Sequence, residues 1–116
     1  MTIQRFETGP RMSQAVVHGN TVYLAGIVAN NAGGESVTKQ TQDVLATIDS
    51  HLAKAGTDKS KLLSATIYLT DMKTYNDMNA VWDAWVSSGN TPARATVEVQ
   101  LANPKYNVEI MVIAAR

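Results

Sequence analysis

Across its 116 residues the chain carries ten basic and ten acidic side chains, so its formal net charge is zero, and it contains no cysteine. A balanced charge argues against a broad nucleic-acid surface, which needs clustered Lys and Arg. The lack of cysteine removes disulfides, thiolate nucleophiles and sulfur ligands for metals. A hydrophobic share of 45% suffices for a core and sets the chain apart from disordered sequences. One domain spanning residues 1–116 is expected at this length. No apolar run approaches the roughly 20 residues of a membrane span, and Met1 to Glu7 lacks the apolar centre of a leader peptide. The expectation is therefore a cytoplasmic protein with no nucleic-acid or membrane partner.

In chain order, Ile3 to Glu7 reads as a short strand broken by Gly9-Pro10. Ser13 to His18 and Thr21 to Ile27 flank Gly19-Asn20, a two-residue turn of the kind that closes a hairpin. Val28 to Ser36 is a polar, flexible connection. Thr41, Val44, Leu45, Ile48 and Leu52 then recur at helical spacing, with Gly56 as the stop. Gln40, Asp43, Thr47 and Ser50 fall on the outer face of that helix. Leu62 to Leu69 reads as a strand. Thr74 is placed to cap a second helix, with Asp77 in its first turn. Tyr75, Met78, Trp82 and Trp85 form its apolar stripe, and Gly89 follows as the stop. Pro92 opens a final hairpin with arms Ala93 to Leu101 and Asn107 to Ala115 around Asn103-Pro104-Lys105. The order β-β-β-α-β-α-β-β predicts an α+β fold, a mixed sheet with two helices packed on one face.

Strand alternation leaves the other face uncovered. Val108, Ile110, Val112 and Ala114 would meet the helices, and Glu109, Met111 and Ile113 would point away. In the hairpin partner, Ala95, Val97, Val99 and Leu101 would face the helices, with Arg94, Thr96, Glu98 and Gln100 opposite. An apolar face beside charges calls for a partner, and a closed homo-oligomer is the commonest solution.

Two charged side chains stand out because each sits inside a run that a sheet would bury. Arg94 is a planar fork suited to a carboxylate. Its alternative is an ion pair with Glu98 or Glu109. Glu109, among Val108, Ile110, Met111, Val112 and Ile113, is costly unless paired, and is a candidate acid or base. Asn79 lies beside the apolar stripe of the second helix, where its amide could brace a loop or simply face solvent. His18 and His51 have no Ser or Asp arrangement around them and read as ordinary surface or packing residues. No metal-ligand spacing exists, and Gly33-Gly34 lacks the pattern of a phosphate loop.

These residues carry a resemblance to a known family. Thr91-Pro92-Ala93-Arg94-Ala95-Thr96-Val97-Glu98-Val99, Asn103-Pro104-Lys105 and Val108-Glu109-Ile110-Met111-Val112-Ile113-Ala114-Ala115 are its strongest pieces. Gly19 to Gly26, Ala65 to Asp71 and Met78-Asn79-Ala80-Val81-Trp82 support them. The chain resembles the reactive intermediate deaminases, the Rid or YjgF-like family, and is closest in look to a YoaB-type branch. The resemblance implies a chorismate-mutase-like fold and a homotrimer with active sites in clefts between subunits. It implies an enzyme that hydrolyses enamines and imines of the 2-aminoacrylate and 2-iminopropanoate type to 2-keto acids and ammonia, without metal or organic cofactor. Small imino and keto acids would be its ligands.

Carried over by position, Arg94 grips the substrate carboxylate and Glu109 positions the attacking water or moves its proton. Gly26 offers backbone to the substrate, and Asn79 is the helix asparagine near the site. Three positions depart from the family pattern and join the candidate binding set. Thr96 stands where many members have cysteine, Met12 where the best-known branch has tyrosine, and Ile27 where glutamine often follows the glycine. The alternative function is a non-catalytic metabolite-binding trimer that regulates a partner.

Overall fold

Seven strands form one mixed sheet: β1 (Ile3–Thr8), β2 (Ser13–His18), β3 (Thr21–Leu24), β4 (Ile27–Val28), β5 (Leu62–Leu69), β6 (Ala93–Glu98) and β7 (Val108–Ala115). Helices α1 (Val37–Lys54) and α2 (Tyr75–Trp85) pack together on one face of it. The computed structural model describes residues 1–116. In space the strands run β1-β2-β3-β7-β5-β6, and β4 follows β3 along the same edge of β7. Only β5 and β6 are parallel, joined by α2 as the crossover that parallel neighbours require.

The expected final hairpin does not form. β5 lies between β6 and β7, pairing parallel with the first and antiparallel with the second. Chain 99–107 instead wraps the end of β5, with hydrogen bonds Val99 N to Leu69 O at 2.9 Å and Thr70 N to Asn107 O at 3.1 Å. The core rows are Ala65, Ile67 and Leu69 from β5 and Val108, Ile110, Val112 and Ala114 from β7, met by Val44, Leu45, Ile48 and Leu52 of α1. Away from the helices, Tyr23 and Val97 stay 44% and 41% exposed on a face that nothing covers within the chain.

Several local details depart from expectation for identifiable reasons. The β3 strand breaks at Ala25-Gly26. Tyr23 pairs with Ile113 while Ile27 pairs with Ile110, so one extra residue is inserted opposite β7 as a bulge. Gln40 is fully buried rather than on the outer face of α1. Its amide nitrogen donates to Glu35 O, Lys105 O and Asn107 Oδ1 at 2.9, 3.1 and 3.0 Å, and its oxygen accepts from Asn107 N at 2.8 Å. All its polar atoms are therefore served, which makes a buried amide tolerable. The connection before α1 is pinned as well: the Asp43 carboxylate accepts from Asn31 N and Ala32 N at 2.9 and 3.0 Å.

Ser36 caps α1 by accepting from Lys39 N at 3.2 Å, and Gly56 follows the helix in the left-handed conformation that favours glycine. Thr74 makes no cap bond; its hydroxyl donates to Asp71 O at 2.6 Å, and Asp71 caps the preceding turn through Lys73 N. The second helix ends at Trp85 because Val86 turns extended, so Gly89 serves a later turn.

Candidate functional site

Arg94 lies on the helix face, opposite to expectation. In the parallel β5–β6 register it pairs with Ala65, and Thr96 pairs with Ile67, both buried beneath the helices. Ala95 and Val97 take the open face instead. The hairpin assumption had placed apolar side chains toward the helices. On this edge strand the guanidinium takes that side because α2 offers it partners.

The guanidinium of Arg94 donates from Nη1 to Asn79 Oδ1 at 2.8 Å and from Nη2 to the Tyr75 hydroxyl at 3.1 Å. It also lies 5.8 Å from the Tyr75 ring centroid and 5.5 Å from that of Trp82, within the range of cation–π attraction. Both acceptors are neutral. No carboxylate pairs with it: the ion pairs of the chain are Lys39–Glu35, His51–Glu7 and Lys54–Glu7. Glu98, one of the two expected partners, instead accepts from Met72 N at 2.7 Å. The half-buried cation thus keeps its charge and the rest of its fork available. Nearby Thr96 has a buried hydroxyl without a hydrogen-bond partner.

Glu109 sits on the open face, where it pairs with Tyr68 of β5 and Val28 of β4. It takes no ion pair from the chain. Its carboxylate rests against Gly26, at the bulge between β3 and β4, where a side chain would overlap it. Gly26 has no left-handed backbone, so its need for glycine comes from this close approach alone. Gly26→Ala is accordingly expected to keep the fold and melting temperature near wild type. It would turn the Glu109 carboxylate away and reduce turnover about tenfold or more; paired thermal melts and kcat measurements check it.

Arg94 and Glu109 therefore do not meet within one chain. Two strand spacings and about 10 Å of strand length separate them, and they occupy opposite faces. The candidate residues divide into two groups. Arg94, Asn79 and Thr96 lie at the β6 edge under α2. Glu109, near the start of β7, and Gly26, in the break between β3 and β4, form the second group. Met12, in the turn before Ser13, is 46% exposed, and two residues on Gln14 O accepts from Ala25 N at 2.9 Å, which ties the start of β2 to the residue before Gly26. Ile27 has its side chain in the core at 3% exposure, so it can offer a ligand only backbone.

Tyr75 and Trp82 escaped the sequence reading as site residues, being grouped with the core stripe. Tyr75, Asn79 and Trp82 are spaced i, i+4 and i+7, which places them on one helix face. That spacing was the available signal. The Asn79 side chain and then the Arg94 charge hold the Tyr75 phenol below the ordinary tyrosine range.

Two concavities lie elsewhere. A groove of about 430 Å³ runs between the helices past Leu45, Asp49, Val81 and Trp85, and a polar cleft of about 450 Å³ is lined by Thr70, Gln100, Asn103, Tyr106 and Asn107. Neither contains Arg94 or Glu109. No three His, Asp or Glu side chains converge as metal ligands. His51 Nδ1 contacts the Glu7 carboxylate at 3.2 Å, and His18 is exposed at the end of β2.

Fold and site together define a small α+β protein with an uncompensated guanidinium at its sheet edge. Residues 2–116 match the family model described as endoribonuclease L-PSP. The chain is 46% identical over 114 residues to a RutC family protein of Haemophilus influenzae, covering 98% of each chain. It is 45% identical over 115 residues to the RutC family protein YoaB of Escherichia coli, covering 99% of each. The crystal structure of a YjgF family member from Neisseria meningitidis superposes with a TM-score of 0.97 at 51% identity, covering 100% of this chain and 96% of the other. The chain belongs to this Rid/YjgF/RutC family and stands close to its YoaB-type members. No helix is long and apolar enough to cross a membrane.

Proposed function

We propose that the chain is an enamine/imine deaminase that hydrolyses reactive 2-imino acids to 2-keto acids and ammonia as a homotrimer. The observation that carries this reading is the Arg94 guanidinium, half-buried and held by neutral acceptors with no counter-charge. Such a fork is prepared for a small carboxylate. The unpaired Glu109 carboxylate against Gly26 supplies the second requirement, a base without a structural partner. Neither group forms a site alone. A ring of three copies would set the Arg94 edge of one protomer against the Glu109 end of the next and cover the open face bearing Tyr23 and Val97.

In that cleft Arg94 holds the substrate carboxylate and fixes the C=N carbon before a water, so that proximity contributes much of the gain. Glu109 accepts a proton as the water oxygen adds to carbon, and returns it to the nitrogen. Glu109 then carries the carbinolamine hydroxyl proton to the nitrogen, the C–N bond breaks as C=O forms, and ammonia leaves with the 2-keto acid behind it. Imines hydrolyse unaided, so a modest acceleration suffices. Nothing in the scheme calls for a cofactor. The endoribonuclease reading attached to the family name fits less well, because one fork and a net charge of zero offer a polyanion no track of cations.

Co-expression of Arg94→Ala and Glu109→Gln subunits tests the shared cleft. Each parent protein is expected to be nearly inactive. A random mixture of the two should regain about a quarter of the wild-type sites, because each mixed trimer rebuilds one intact Arg94–Glu109 pairing. No recovery in trimers verified as mixed would show that both groups act from a single protomer.

A further inference from the structure

We propose that Tyr75 positions the Arg94 fork for a carboxylate and donates its own phenolic proton to that anion, making it a specificity residue of the site. The inference rests on the reading of Arg94 as a carboxylate anchor and goes a step beyond it. The phenol oxygen accepts from Arg94 Nη2 at 3.1 Å, while Asn79 accepts from Nη1 at 2.8 Å. One acceptor on each terminal nitrogen fixes the plane of the guanidinium. Arg94 is the one hydrogen-bond donor to the phenol oxygen, and no carbonyl or carboxylate of the chain accepts from the Tyr75 hydroxyl. Tyr75 is also 37% exposed, unlike the fully buried Met78 of the same helix, so its hydroxyl is open to a ligand beside Arg94. A phenylalanine would keep the ring against the cation and lose both hydroxyl functions.

The phenol also makes the site sensitive to alkaline pH. Ionisation would remove the donor and set a negative charge beside Arg94, where it competes with the ligand carboxylate. The charged groups acting on the hydroxyl are Arg94 from β6, which favours ionisation, and Asp83 of its own helix, which opposes it; the Asn79 side chain is the largest influence and also favours it. The net effect is a lowered pKa. Carboxylate binding is therefore full while the phenol is neutral and is lost as pH rises, starting below the ordinary tyrosine value of about 10.

Pyruvate binding, measured by calorimetry from neutral pH to about pH 10, separates the outcomes. Wild-type protein should bind and then lose affinity on the alkaline side. Tyr75→Phe should bind about tenfold more weakly at neutral pH, with a flat profile through the range where the wild type declines. Its melting temperature should stay near wild type, which a purely structural role would not allow together with a changed pH profile. Wild-type and variant curves of the same shape would overturn the role of Tyr75 while leaving the carboxylate site in place. Failure of the wild-type protein to bind any 2-keto acid would overturn the carboxylate site, and this assignment with it.

Discussion

Arg94→Ala is expected to lower kcat/KM for a 2-imino acid by about a hundred- to a thousandfold, the usual consequence of truncating one partner of a desolvated charge pair. The loss should appear in both KM and kcat, because the fork both binds the carboxylate and sets the C=N carbon before the water. Stability should change far less. The chain gives Arg94 no counter-charge, and removal forfeits two hydrogen bonds to neutral groups and the contacts with the rings of Tyr75 and Trp82. That amounts to about 1–2 kcal/mol of folding stability. Arg94→Lys retains the charge without the planar fork and should fall between wild type and alanine. Steady-state kinetics beside denaturant unfolding of the same three proteins check the separation. A fall in stability large enough to explain the lost activity would assign Arg94 a structural role.

Glu109→Gln is expected to reduce kcat by about two to four orders of magnitude, the span of general acid–base catalysis, with 2-keto acid affinity near wild type. The amide keeps the shape that packs against Gly26 but cannot take a proton from water. Stability gives an independent check with a definite sign. A half-buried carboxylate without an ion pair is a cost to the fold, so the glutamine protein should melt at the same temperature or higher. Kinetics, pyruvate binding and thermal melts on one preparation report all three. Loss of pyruvate binding in parallel with turnover would make Glu109 a binding group, and unchanged turnover would remove Glu109 from the chemistry and leave the proton transfer to another group.

The two helices, the central strands and the candidate residues were readable because their signals are local. Val44, Leu45, Ile48 and Leu52 mark the buried stripe of α1 by spacing alone, and the alternation of Val108 to Ala114 gives the faces of β7 correctly. What failed depended on which strands are neighbours. Treating Ala93 to Leu101 as a hairpin arm placed Arg94 on the face of Glu109, whereas parallel pairing of β6 with β5 placed it under α2. Loop length gave no warning, since the expected arms leave five residues, 102–106, an ordinary hairpin connection. Gln40 was misassigned because a polar residue on a helix suggests solvent; its burial depends on Asn107 and Lys105, far along the chain. The bulge at Ala25-Gly26 was hidden within a continuous apolar run, and it is the feature that brings Gly26 to Glu109.

Ammonia or keto-acid release from freshly generated 2-imino acids, with an amino-acid oxidase as their source, tests the central claim most directly. Wild-type protein should accelerate release above the spontaneous rate, and well-folded Arg94→Ala protein should return it to that rate. Release at the spontaneous rate by folded wild-type trimer, across imines of several side chains, would contradict a deaminase.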